Sequence, residues 1–321
     1  MRIVVTGAAG FIGSNLTDSL LASGHRVLGI DNFSTGSGEF LEGALARDSF
    51  QLRTLDLLDE GAALPKLFDG ADAVVHLAAN ADVRFGWNVP DRDLKQNIVV
   101  THNVLEGVRL AGVPRFLFSS TGSVYGEASV IPTPEDCPFP VQTSLYGASK
   151  LAGEGLAAAY AEGCGITTTV FRFVSIMGSR YTHGHVVDFM AQLAQHPDRL
   201  RILGDGKQRK SYLDVTDCAA AIVSVLERTG GHEVYNLGVE DYCTVDDSAG
   251  WICSRLGVDP ELQHTGGDRG WVGDNPFIYL ATAKMRATGW TPVYSIREAV
   301  ERTVDYLREH TWILGRVDVR A

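Results

Sequence analysis

Cysteine is scarce and scattered in this chain. There are five in 321 residues, Cys137, Cys164, Cys218, Cys243 and Cys253, an odd number with no two close together. That spacing argues against a disulfide framework or a zinc ribbon and fits buried thiols in a reducing compartment. Positive charge is also short: 28 Lys and Arg stand against 39 Asp and Glu, for a net charge of −11. A nucleic-acid binder should show a basic stripe, so nucleic acid is not an expected partner. Any anionic ligand must be met by local cations against the overall sign. No run approaches the ~20 apolar residues of a membrane span, and no internal repeat, low-complexity tract or long linker is visible. Met1-Arg2-Ile3-Val4-Val5 runs straight into an apolar segment without room for a signal peptide. A cytoplasmic protein is expected.

What the chain has is apolar residues in a regular rhythm. The first half alternates short apolar runs with longer stretches of helical spacing, the pattern of a parallel sheet covered by helices. Strands are expected at 3–5, 26–30, 51–54, 73–76, 115–119 and 168–172, with helices at 12–23 and 97–111. Beyond residue 172 the rhythm breaks into loops rich in Gly, His, Arg and aromatic residues, at 175–186, 204–212 and 266–276. Helices are expected again at 217–227 and 296–310. The expected division is a nucleotide-binding domain over 1–172, rejoined by elements within 211–237, and a substrate lobe over 173–321.

Three glycines follow the first apolar run, in Gly7-x-x-Gly10-x-x-Gly13, and a helical stretch opens at Phe11 and Ile12. Such a turn lets backbone N–H groups approach a pyrophosphate, whose charge the helix N-terminus favours. With 35 glycines in the chain the pattern alone is weak; the strand before it and the helix after it give it weight. Asp31 lies 18 positions beyond Gly13, at the end of the next strand, followed by Asn32. A carboxylate there accepts hydrogen bonds from a ribose diol and repels a 2′-phosphate, which favours NAD over NADP. A tight turn and a strand-end Asp without a ligand is the alternative. Far downstream, Tyr146 and Lys150 form the chain's one Tyr-x-x-x-Lys pair. Four apart on a helix they lie side by side, so the ammonium, helped by the nicotinamide's own positive charge, is expected to lower the phenol's pKa and make it a general base. An exposed amphipathic pair is the bland alternative.

The glycine spacing, together with the motifs that follow it, resembles the extended short-chain dehydrogenase/reductase superfamily and its NAD-dependent epimerase/dehydratase family. The likeness is specific in the first half and looser in the second. It implies an α/β fold, a Rossmann-type doubly wound parallel sheet with a smaller, mixed α/β C-terminal substrate lobe. It implies an adenine contact at Asp56 and Leu57, and a loop beneath the nicotinamide ribose at Leu77, Ala78 and Ala79. Asn97-x-x-x-Thr101-x-Asn103-x-Leu105 follows the family's helix pattern, with Val100 where Gly is usual. Asn97 and Ser119 join the implied cofactor contacts, and Lys150 would hold the nicotinamide ribose hydroxyls. Thr121, four positions before Tyr125-Gly126, matches the family's hydroxyl that touches the sugar; a structural turn role for Ser119 and Ser120 stays open.

The same segment bears on the reaction. The family's 4,6-dehydratases carry Asp-Glu after that Thr, and its UDP-glucuronate decarboxylases usually carry Glu at the second position. Here Gly122 and Ser123 stand there, and neither shuttles a proton at neutral pH. The resemblance therefore implies an NAD-dependent nucleotide-sugar 4-epimerase with Thr121, Tyr146 and Lys150 as its catalytic residues. A keto-sugar reductase, a dehydratase, a decarboxylase and a silent NAD sensor are the alternatives. The sugar diphosphate needs cations, for which Arg84, Arg180, Arg209, Lys210 and Arg269 are candidates. Lys210 replaces the Arg of the family's Gly-Asp-Gly-x-Gln-x-Arg motif. Ser175 replaces a substrate-holding Asn, and Trp271 replaces the Arg of Arg-x-Gly-Asp, which ends here in Asp274. His183, His185 and Val186 are expected to line the sugar pocket. Two His without an accompanying Cys or carboxylate ligand argue against a metal site in that loop. The family pattern also implies a homodimer built on the helices around 97–111 and 146–162.

Overall fold

Alternating strands and helices dominate the first 173 residues of the computed structural model, which describes residues 1–81, 88–138, 141–271 and 274–316. In chain order the elements are β1 (Arg2–Thr6), α1 (Phe11–Ala22), β2 (Arg26–Asp31), α2 (Glu42–Leu45), β3 (Phe50–Thr54), α3 (Leu64–Phe68) and β4 (Ala73–His76). There follow α4 (Asp91–Asp93), a π-turn (Leu94–Val99), α5 (Val100–Ala111), β5 (Arg115–Thr121), α6 (Leu145–Cys164) and β6 (Thr167–Phe173). The second half holds β7 (Ser175–Met177), α7 (His185–Gln195), β8 (Arg199–Ile202), β9 (Arg209–Lys210), β10 (Tyr212–Asp214), α8 (Val215–Ser224), β11 (His232–Leu237) and β12 (Cys243–Thr244). It closes with α9 (Val245–Leu256), β13 (Glu261–His264), β14 (Phe277–Ile278), α10 (Ala283–Arg286) and α11 (Ile296–Glu309).

Seven strands form one parallel sheet in the order β11-β6-β5-β4-β1-β2-β3. The order reverses between β1 and β4, and such a switch point opens a crevice at the carboxyl ends of the strands. Successive side chains point to opposite faces, and both faces here are covered. Ile3, Val5, Val75, Leu117 and Phe171 pack with Leu16 and Leu20 of α1 and Ile222 of α8. Val4, Leu28, Ile30, Val74, Phe116, Phe118 and Val170 pack with Val104, Leu105 and Val108 of α5. Burial on both sides is why these strands read as unbroken apolar runs.

The remaining strands make small sheets, β7 with β10, β9 between β12 and β14, and β8 with β13. The second half has no core of its own: the cluster under α1 runs on through Val186, Leu213, Ile252 and Val304. β11 returns to the main sheet beside β6, and α8 covers the same face as α1. Two of the expected loops contain short strands, β7 and β9, and the helices α7 and α9 had no counterpart in the sequence reading. Among the described residues, no helix is long and apolar enough to cross a membrane.

Candidate active site

The turn from β1 to α1 is shaped by the absence of side chains. Gly7 has φ +70°, and a Cβ there would lie 2.7 Å from the Ala78 nitrogen. A Cβ on Gly13 would run into the Gly7 carbonyl. The glycine turn therefore packs directly on the loop that carries Leu77, Ala78 and Ala79, held also by the Leu77 N–H donating to the Thr6 carbonyl at 3.2 Å. Gly10 opens α1 without a side-chain cap, so the first-turn N–H groups of Phe11, Ile12 and Gly13 face the crevice end of the helix. Asp31, 8% exposed, accepts from Ala9 N at 2.9 Å and Phe33 N at 2.8 Å, and burial pushes its carboxyl up. Beside it Asn32 Nδ2 donates to Asp56 at 2.8 Å, and Asp56 caps Leu58 N at 2.8 Å above the buried Leu57. Backbone donors, a side-chain-free cradle and a carboxylate at the end of β2 fit a dinucleotide.

At the far side of the crevice β5 ends at Thr121, whose Oγ1 caps the single 3₁₀ turn Gly122–Tyr125 by accepting from Ser123 N at 3.1 Å. Ser144 caps α6 in the same way, accepting from Gly147 N at 3.0 Å. That cap sets Tyr146 in the first turn of α6 and Lys150 one turn on. The Thr121 hydroxyl is in hydrogen-bonding reach of the Tyr146 phenol. Lys150 is 2% exposed, lies 4.9 Å over the Phe118 ring, and donates through Nζ to the Ser119 carbonyl at 2.9 Å. Ser119 in turn donates to the His76 carbonyl at 3.1 Å.

The electrostatics correct the expectation of a lowered phenol. Burial first, then the Asp93 carboxylate, push Tyr146 up to about 12, against the Thr121 hydrogen bond. Burial lowers Lys150 to about 7, against Asp93 and Glu154. In the protein alone desolvation wins, because Lys150 gives its hydrogen bond to Ser119 and not to the phenol. A positive charge brought into the pocket would act in the missing direction.

Two networks hold these side chains, and sequence reasoning anticipated neither. Arg172 of β6 pairs with Glu154 of α6 at 2.7 Å, both buried, and donates to Tyr125 Oη at 2.6 Å. Tyr125 Oη donates to Asn236 Oδ1 of β11 at 2.9 Å, and Ser120 donates to Glu154. On the other flank Asn97, 1% exposed, donates to Ser149 Oγ at 2.9 Å and to Asp93 at 3.1 Å, and accepts from Asn80 N at 2.8 Å. Asn97 sits inside the π-turn Leu94–Val99, which no sequence pattern distinguishes from a plain helix.

Comparison with known proteins bears directly on this crevice. Residues 3–238 match the NAD dependent epimerase/dehydratase family. The chain belongs to that family. It is 32% identical over 315 residues to a UDP-glucose 4-epimerase of Mycolicibacterium smegmatis, covering 96% of this chain and 99% of that one. It is similar to a crystal structure of a UDP-galactose 4-epimerase, with TM-score 0.86 and 38% identity over 97% of this chain and 100% of that one. A Bacillus cereus UDP-glucuronic acid 4-epimerase, solved with UDP-glucuronic acid and NAD, superposes with TM-score 0.89 at 29% identity, covering 97% and 100%.

Within this family member the expected substrate residues separate into those near an opening and those already occupied. Ser175 is exposed at the start of β7. His183 is exposed and stacks on Tyr181 at 6.2 Å, which meets Phe11 of the glycine turn edge-on at 5.4 Å. His185 shares a 2.7 Å hydrogen bond with Ser248 and lies 5.1 Å from the Tyr212 ring; burial, then the charge of Lys210, lower it to about 4. Trp271 is half-buried. One expectation needs correction, Val186, and several of the other residues already have partners within the protein. Val186 has no exposed surface and belongs to the core. Arg180 is taken up by Asp18 at 2.7 Å, so it ties its loop to α1. Lys210 pairs with Asp274 at 2.8 Å and with the Asn275 carbonyl, which neutralises the charge offered to a nucleotide. Arg269 pairs with Glu127, and Arg209 stacks 3.9 Å over Phe277. Arg84 lies outside the described residues. Among those residues no group of three His, Cys, Asp or Glu is arranged to hold a metal.

Proposed function

We propose that the protein is an NAD-dependent nucleotide-sugar 4-epimerase. The observation that carries this reading is the convergence of Thr121, Tyr146 and Lys150 at the carboxyl end of β5, facing the glycine cradle across the switch point of the sheet. When bound, NAD supplies the two-electron acceptor that takes hydride from sugar C4 and gives it back. The chain's own task is the proton. Thr121 orients the 4-hydroxyl, and Tyr146 takes its proton as general base and returns it once the sugar has presented its other face. Lys150, buried on the Ser119 carbonyl one turn along α6 from the phenol, is a donor for ribose hydroxyls.

The surroundings of Gly122 support this over elimination chemistry. A Cβ there would lie 3.2 Å from Ile278 Cγ2 and 3.5 Å from Leu280 Cδ1. A carboxylate at that position would be pressed against aliphatic groups at a large desolvation cost. Incubation with NDP-sugars, UDP-sugars first, should give the C4 epimer without net NADH. Steady NADH accumulation or release of CO₂ refutes the reading. Tyr146→Phe should lower kcat about 10²-fold or more while leaving the fold intact.

The same reading includes a homodimer through the outer faces of α5 and α6. It is supported by Leu110, 59% exposed on α5, and by the neighbouring Tyr160–Glu106 hydrogen bond of 2.6 Å that fixes the two helices side by side. Leu110→Glu should convert a dimer to monomers in light scattering; a native protein that scatters as a monomer removes this part.

A further inference from the structure

Asp93 is 2% exposed at the end of α4, where the chain enters the π-turn Leu94–Val99. A π-turn sacrifices helical geometry and recurs at functional sites. Here it turns Asp93 and Asn97 to one side of the helix. Asp93 Oδ1 accepts from Asn80 Nδ2 at 2.8 Å and from Asn97 Nδ2 at 3.1 Å. Asn97 Nδ2 also reaches Ser149 Oγ at 2.9 Å, and Ser149 donates to the Tyr146 carbonyl at 2.8 Å. A continuous hydrogen-bonded path therefore joins this carboxylate to the turn of α6 that carries both Tyr146 and Lys150. Among the described residues the other oxygen, Oδ2, is buried with no partner. A carboxylate oxygen left unpaired inside a protein is costly, and such an exception calls for a role.

We propose that Asp93 is a positioning residue of this site: it fixes the first turns of α6 through Asn97 and Ser149, and its buried negative charge couples Tyr146 to Lys150. Among the described residues its charge acts on Tyr146 and Lys150 of α6; Lys150 also feels Glu154 of α6 and lies near His76 of β4, which burial holds neutral. On its own helix Asp91 and Lys95 pair with each other at the surface at 2.5 Å.

The sign follows from the charge. A carboxylate favours the ammonium of Lys150 and disfavours the phenolate of Tyr146, so it raises the titration of both. Removing it lowers both. A reaction that needs one group ionised and the other protonated has a bell-shaped pH profile, whose limbs belong to the pair. Both limbs must then move to lower pH, whichever group governs which limb.

The catalytic meaning of this proposal rests on the epimerase reading, but the coupling is testable without turnover. The chain has six lysines, so ε-¹³C-lysine NMR resolves them, and Lys150→Met assigns the one that titrates near neutrality. In Asp93→Asn its midpoint should fall by about 1 pH unit, and in Asp93→Glu it should stay near the native value. Asp93→Ser is the second charge-free variant, should the Asn form fail to fold. With active native enzyme, Asp93→Asn should shift both limbs of kcat downward with KM little changed. A Lys150 midpoint unmoved in a folded charge-free variant, or moved equally in Asp93→Glu, overturns the proposal. A native protein that turns over no NDP-sugar overturns the function instead, while the NMR titration still decides the role of Asp93.

Discussion

A single methyl group at Gly7 would meet the Ala78 nitrogen at 2.7 Å in a backbone conformation that L side chains rarely adopt. The strand end and the loop after β4 would have to part, and the N–H groups at the start of α1 would lose their aim. Gly7→Ala should therefore purify with at least about 10-fold less bound NAD than the native protein, read from absorbance of the acid-released cofactor. Thr121 acts on a different atom. Its hydrogen bond is the one local influence that lowers the Tyr146 phenol, so Thr121→Val should leave NAD content alone and push the phenol further up. The expected loss in kcat is about 10-fold at pH 7 and should shrink as pH rises. A loss constant from pH 7 to 9 would show that the hydroxyl works by orientation alone.

At the scale of elements, the site depends on α6 being fixed against β5 and β6. The Arg172–Glu154 pair does this with side chains only 4% and 6% exposed. Such a pair adds little over an apolar contact, but removing one partner strands the other charge. Arg172→Met should cost about 3 kcal/mol in chemical denaturation, and Arg172→Met with Glu154→Leu should recover much of it. A double variant as unstable as the single one would mean the network matters for its geometry and not for its charge balance. Strands of this sheet are legible because burial on both faces leaves a plain apolar signature: 73–76 matches the bounds of β4, and the ranges expected for β1, β2, β3, β5 and β6 fall within two residues of the observed ends. The glycine turn, Asp31 and the Tyr146–Lys150 pair were legible because each imposes a fixed spacing. α9 could have been read from its capping box, Thr244 with Asp247 three residues on. What stayed hidden was tertiary. The pairing of Lys210 with Asp274 joins residues 64 apart, and the burial that drives Tyr146 upward is a property of the packed crevice. Asp93 reads in sequence as one more acid on a solvated helix face.

The molecule as a whole carries its acid sensitivity inside. His76, with no exposed surface, lies between Thr6 Oγ1 at 2.7 Å and Thr101 Oγ1 at 3.1 Å, and burial, then the Lys150 charge, lower it to about 3. His185 in the second half is lowered to about 4. Both are neutral in the fold and free to protonate near pH 6.5 once unfolded. Their contribution is therefore fully present above pH 6.5 and declines as pH falls toward the folded values. Each adds a slope of up to about 1.4 kcal/mol per pH unit where only the unfolded form is protonated. One apolar cluster runs from Ile3 to Val304, so weakening either half draws on the same core and a single transition is expected. Between pH 6.5 and 5, above the range where most carboxylates titrate, the NAD-free protein should lose stability steadily in urea unfolding. His76→Gln, which keeps a hydrogen-bonding side chain without the proton, should reduce that slope by about one proton's worth. An unchanged slope would mean that His76 is charged in the fold, and the neutral environment assigned to it beside Lys150 would be wrong.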